Sequence, residues 1–510
     1  MFVVRKNQLF RIARACGLAA LVWTVAAGLG CGGAIQSVNK PLNDPLALGV
    51  EPGPLGSTNP QTIQVRLGSE PNNRIVSLSL TIDSLEAKNS GDEYLDLLTQ
   101  PVTVESARTA ITSDPVVVRT IYQDTYSELR VPAMTGHVDF YDINGQLVSQ
   151  SFNVTAQSVT LTDPLVLGPT SPLVFSVSLD LSQSFTLTDN PPVDETPGST
   201  TFSVNTLVVN ATAATPNPAP GQPETGSFSF LAGLVTAVDT NAQVISLTPV
   251  AGNPMQLSYG LGTVFHDCNA SVLSGMMIEV KGDTQTDGSL LASDVVLIDN
   301  ATSTSEVHGI LSGQAPDGLS YNLVFQGGMG VNVTDSLQGQ TVTMDSTAAS
   351  FNINHGAFSQ GLNLFVEGAD GQLVFDADHL YPGQLVATKR DTLFLSDPDS
   401  CNAGCMQPLL VELEEQTLTG KVLNYTYDGE TQYGSFQLVV DSNSPIKLMN
   451  PGLTTITVDQ VPLTYLRNSP TFNNDDVVKV RGLLLVDPNY FTFHPGDPIA
   501  FVMVADRISQ

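Results

Sequence analysis

Gly275-Met276-Met277-Ile278-Glu279-Val280-Lys281 recurs in altered form as Gly383-Gln384-Leu385-Val386-Ala387-Thr388-Lys389 and again as Asp475-Asp476-Val477-Val478-Lys479-Val480-Arg481. Each reads as a β-strand entered from a turn. Upstream of each stands an opening strand, at Gly233-Leu234-Val235, Gly309-Ile310-Leu311 and Gly420-Lys421-Val422. Between the two lies a strand closing on an aromatic, at Thr263-Val264-Phe265, Ala349-Ser350-Phe351 and Leu463-Thr464-Tyr465. A last strand follows at Ala292–Ile298, Leu409–Leu413 and Phe501–Ile508. The order of features is constant while the spacing varies, which places insertions in loops between fixed strands. A small barrel of about five strands per unit satisfies the pattern, because closure leaves no exposed sheet edge.

Upstream of the repeats, residues 211–227 form a proline-rich interdomain linker with Pro216, Pro218, Pro220 and Pro223. Before it, period-two alternation in Ile75–Ile82 and Leu173–Leu181, a further strand at Phe152–Ala156 and the hairpin signal Asn144-Gly145 predict an antiparallel sandwich over 73–210. Glycine and proline without apolar periodicity mark 31–72 as a flexible tether. The expected fold is all-β: the sandwich, then OB-like barrels at 228–302, at 303–416 with insertions, and at 417–510.

Residues 1–30 read as an export signal, with Arg5, Lys6, Arg11 and Arg14 ahead of the apolar stretch Cys16–Leu29. The run Ala27-Gly28-Leu29-Gly30-Cys31-Gly32-Gly33 resembles a bacterial lipobox, with Gly28 where leucine is usual. That resemblance implies lipidation at Cys31; cleavage by the general signal peptidase is the alternative. No later stretch reaches the roughly 18–20 apolar residues of a spanning helix. Cys401 and Cys405 fall in a polar loop with Asn402 and Gly404, which suits a short disulfide in an exported chain. Cys268 reads as a half-buried small apolar residue, with His266 on the same strand face.

The three repeats resemble domain-of-unknown-function family 5666, a small OB-like barrel of bacterial envelope proteins; the first unit fits best, and Asp475 departs from the pattern. The 73–210 segment is similar to domain-of-unknown-function family 4382 through Thr125–Val131 and Leu179-Asp180-Leu181. Neither resemblance brings a catalytic residue.

Acidic residues number 50 against 20 basic in the 510-residue chain, 42% apolar, for a formal charge of −30. So acidic a surface gains nothing from a phosphate backbone, which excludes nucleic acid as a partner class. The six histidines are scattered, and no zinc motif, nucleophile elbow or phosphate loop is present. Ser444-Pro445-Ile446-Lys447 matches a Ser-x-x-Lys motif by count, but Pro445 is expected to break the helix it needs. Asp391, Asp397 and Asp399, and the Asp142-Ile143-Asn144-Gly145 turn, offer oxygens for calcium without a complete ligand set. With Trp23 inside the signal, the mature chain lacks the aromatic best suited to stacking on sugars. The expectation is a non-enzymatic, lipid-anchored envelope protein without cofactor or metal, an array of β-domains for scaffolding, adhesion or weak ligand binding. It would touch the membrane through its lipid alone and have an envelope protein or polysaccharide as partner, at the outer membrane on the periplasmic or surface face. The alternative is a secreted carboxylate-based hydrolase acting on cell-surface polymers.

Overall fold

The structure is a computed structural model that describes residues 60–98, 100–109, 113–166, 173–192, 198–214, 227–250, 252–266, 268–285, 288–300, 305–314, 320–330, 341–353, 375–390, 405–442, 444–467, 472–487 and 499–510. The described chain is almost entirely β and belongs to one compact unit. The signal, Cys31, Cys401 and the side chain of Cys405, the acidic residues at 391–399 and most of the linker lie outside the described residues.

The N-terminal domain is a sandwich. Its first sheet runs Val209–Ala214, Leu173–Asp180, Pro60–Glu70, Ser113–Tyr122, and its second is built on the long hairpin Thr125–Tyr141 and Leu147–Val166 with Ile75–Ile82 beside it. Inward residues of both sheets, including Ile63, Val65, Phe175 and Val177 from one and Leu78, Leu80, Val138 and Phe140 from the other, share one core. Two expectations are corrected here. Pro60–Glu70, assigned above to the tether, is an inner strand, because Ile63, Val65 and Leu67 alternate with polar residues and face that core. It pairs parallel with Leu173–Asp180, so the sandwich is not wholly antiparallel. The strand Val209–Ala214 likewise extends the sandwich into the start of the linker.

Beyond the linker, one connectivity appears three times. In each unit the opening strand pairs antiparallel with the second and the fourth, the second with the third, and the fourth with the last, while the third and last run parallel. This is the ring of an OB-like barrel. The first unit (opening Ser227–Asp239, fourth Met276–Thr284, last Leu290–Asn300) and the third (opening Glu415–Asp428, second Tyr433–Val440, third Thr455–Arg467, fourth Val477–Val486, last Phe501–Ser509) close completely. In the second unit (opening Ser305–Gln314, fourth Leu385–Arg390) the last strand is split into Cys405–Met406, which pairs with the third strand, and Leu410–Leu413, which pairs with the fourth, so the hydrogen-bonded ring is interrupted between the two pieces.

The repeated glycines have one cause at each position. A Cβ on Gly233, Gly309 or Gly420 would run into the paired strand's carbonyl oxygen at Thr248, Val324 or Val439. The residue entering the fourth strand is left-handed in all three units, with φ of +83° at Gly275, +101° at Gly383 and +76° at Asp475. Asp475 therefore holds a conformation suited to glycine.

The barrels are packed together rather than strung out. Leu483, Leu485 and Val504 on the outside of the third barrel belong to the second barrel's core cluster, while Val480, Leu484 and Val486 fill their own. That explains the unbroken apolar run Leu483–Val486: both of its faces are covered. The sandwich touches every barrel. Asn253 N donates to Val116 O at 2.8 Å, Gln326 to the carbonyl of Val76, and Arg481 Nη1 to Arg108 O at 3.0 Å.

Replacing Asp475 with glycine removes the left-handed penalty and sacrifices only the exposed Lys421–Asp475 pair. Asp475→Gly is expected to stabilise by about 0.5–1 kcal/mol, measured as a raised denaturation midpoint, whereas Gly383→Ala, with Ile446 in the way, should lower it.

Candidate functional site

In the fourth strand of the first barrel Ile278 and Val280 point into the barrel, so Glu279 and Lys281 lie on its outer face. By sequence that face reads as solvated. Here it is sealed, with Glu279 only 3% exposed. The same alternation turns Glu306 and His308, Lys389, and Glu412 and Glu414 out from the second barrel, and Arg481 and Asp506 out from the third. These outer faces meet, with Arg108 of the sandwich, in a buried ionic junction where all four domains converge.

Each barrel contributes a cation at the same repeat position, six residues after Gly275, Gly383 or Asp475: Lys281, Lys389 and Arg481. Lys281 Nζ is 3.5 Å from Glu415 Oε1, and Arg481 Nε is 3.4 Å from Glu415 Oε2, so Glu415 joins the first and third barrels. Lys389 Nζ lies 2.5 Å from Glu412 and 3.9 Å from Glu306. His308, fully buried, has Nδ1 at 2.9 Å from Glu414 Oε2 and Nε2 at 3.7 Å from Glu306, and Arg108 approaches Glu414 at 3.7 Å.

The protonation pattern follows from burial opposed by pairing. Burial would raise Glu414, but the His308 and Arg108 cations outweigh it and hold the carboxyl at about 2. Glu415 is likewise drawn down, against burial, by Lys281 and Arg481. Glu279 is pushed up to about 7, first by burial and then by the Glu414 charge, and Asp506 to about 6 by burial and Glu415. Glu306 is also raised by burial. His308 rises because Glu414 and Glu306 overcome burial and Arg108.

The junction's cations and carboxylates pair chiefly with one another, while Glu279 Oε1, Glu306 Oε2 and His308 Nε2 are buried without a hydrogen bond. Beside Arg108, Glu415 and Arg481 lies a cavity of about 80 Å³, room for two or three waters and below the roughly 300 Å³ of ordinary small-molecule sites. Among the described residues no group of histidine, cysteine and carboxylates is arranged to hold a metal ion.

The residues singled out by sequence stand elsewhere and apart. His266 Nε2 faces Asp294 Oδ1 at 3.2 Å, while Cys268 carries no disulfide and packs on the first barrel's core with its sulfur 4.0 Å from Val295 O. The Asp142 carboxylate accepts from Asn144 N at 2.9 Å and Gln146 N at 2.7 Å, closing its own hairpin turn with Gly145 at φ +72°. Pro445 opens the short helix Pro445–Met449 instead of breaking it, since its first position needs no N–H; Ser444 Oγ donates to Asp441 O at 2.8 Å. Sequence reasoning missed the junction, whose signal was the shared basic residue of the three repeats.

No protein-family model matches the chain, and no curated protein matches it either.

The junction sets a pH dependence. Glu279, Asp506 and Glu306 bind protons more tightly folded than unfolded, as does His308, so each contributes stability at low pH that is lost as pH rises through its folded value. Glu414 and Glu415 act oppositely, but only below about pH 4.5. Stability is therefore expected to be higher at pH 5 than at pH 8, and Glu279→Gln should shrink that difference by about 1–3 kcal/mol, followed by denaturant unfolding at both values. A stability that climbs from pH 5 to pH 8 would contradict this.

Proposed function

We propose that the chain is exported, lipidated at Cys31 and held in a bacterial cell envelope, where its fused β-domains act as a non-enzymatic body for scaffolding, adhesion or weak ligand binding. The observation that carries this reading is the state of the buried charges. Glu414, Glu415, Lys281, Lys389 and Arg481 are paired within one buried cluster, and the cavity beside it holds only a few waters. A hydrolase would place such carboxylates on a cleft wide enough for substrate. The basic N-terminus followed by an apolar stretch and Gly30-Cys31 supports export and anchoring. The acidic surface supports contact with lipid through the anchor alone and argues against nucleic acid.

Fractionation tests the anchor. The wild-type chain should pellet with membranes and Cys31→Ala should move to the soluble fraction; a variant that still pellets would overturn lipid anchoring.

A further inference from the structure

The third barrel carries a shallow dish of about 440 Å³ at the hairpin end of its first three strands, within the size range of small-ligand sites. It exists because the opening strand bulges. The register with the second strand shifts between Leu423 and Thr426, and Asn424 takes a left-handed φ of +54°. After the bulge, Tyr425 packs on Phe436 and Phe472 in the barrel core. Tyr427, 50% exposed, stacks beside it with ring centroids 6.4 Å apart and planes at 20°. The Tyr427 ring is thus a platform already held in place. Gly434 keeps the floor open, since a side chain there would meet Gln460 and Tyr427.

One polar side chain shares the face of Tyr427. Gln460 is only 4% exposed; its Oε1 accepts from Tyr425 OH at 3.2 Å, and its amide nitrogen has no hydrogen-bond partner among the described residues. That nitrogen is not among the fully buried unpaired atoms, so it can donate to a molecule lying on the Tyr427 ring. Asp459, next in the strand, points to the opposite, outer face, where Oδ1 accepts from Ser435 Oγ at 3.1 Å.

We infer that this dish binds a neutral sugar ring, its C–H face on Tyr427 and one hydroxyl accepting from the Gln460 amide. Asp428, Asp459 and nearby Asp487 repel phosphate and uronate groups. The site belongs to the third barrel alone. The matching stretches Gly233–Asp239 and Gly309–Gln314 hold no aromatic residue.

The inference deepens the ligand-binding part of the reading above, and fractionation reads anchoring alone, so the two fail separately. The test is saturation-transfer NMR on the purified full chain with maltohexaose, cellohexaose and chitohexaose, and with hexagalacturonate as the anionic control. At least one neutral hexasaccharide should bind with millimolar affinity, Tyr427→Ala should weaken it at least about tenfold with an unchanged unfolding midpoint, and Tyr427→Phe should retain it. No transfer to any neutral probe, binding indifferent to Tyr427→Ala, or preference for hexagalacturonate would overturn the proposal.

Discussion

The arrangement of the four domains depends on charges that have been taken out of water. Lys281, Lys389 and Arg481 occupy one repeat position in three barrels, and each is buried only because a neighbouring chain segment brings a carboxylate to it. Glu412, Glu414 and Glu415 come from the short stretch joining the second barrel to the third. That stretch neutralises cations of all three barrels, and Glu414 also engages Arg108 of the sandwich. Docking in a shifted register would leave such charges buried without their partners.

Such pairs are not a strong source of net stability, since desolvation offsets most of the attraction. Removing one partner is another matter, at about 3–5 kcal/mol for an uncompensated buried charge. The apolar contacts that hold the barrels together, such as Leu483, Leu485 and Val504 against the second barrel, tolerate sliding better than an ion pair does. We therefore assign the junction the choice of docking register and the apolar contacts most of the adhesion. Glu279 and Asp506, raised toward neutrality, show where the neutralisation is incomplete.

The strands were legible wherever apolar and polar residues alternate along the chain, whatever covers the polar face. Ile75–Ile82 is a strand over the range its alternation marks, and the repeat order matches the barrel connectivity in all three units. Pro60–Glu70 was hidden because the alternation of Ile63, Val65 and Leu67 begins amid glycine and proline. The junction was hidden for a deeper reason. An alternating strand with Glu279 and Lys281 on its polar face looks the same whether that face meets solvent or another barrel, and nothing local to the strand decides between them. The dish was missed because Tyr425 and Tyr427 sit two apart in a strand, which reads as core. The two rings share one face and stack, and Tyr427 is the exposed one because it lies nearer the hairpin end, beyond the core aromatics Phe436 and Phe472.

The central claim is that the junction makes sandwich and barrels one cooperative body, and hydrogen exchange read by mass spectrometry tests it most directly. In the wild-type chain, amides of 60–70, 276–284, 305–314 and 477–486 should open together in a single correlated step. In Glu415→Gln, which leaves Lys281 and Arg481 without their shared carboxylate, the first barrel should open separately and earlier. Independent opening of the four segments in the wild-type chain, unchanged by Glu415→Gln, would contradict the account.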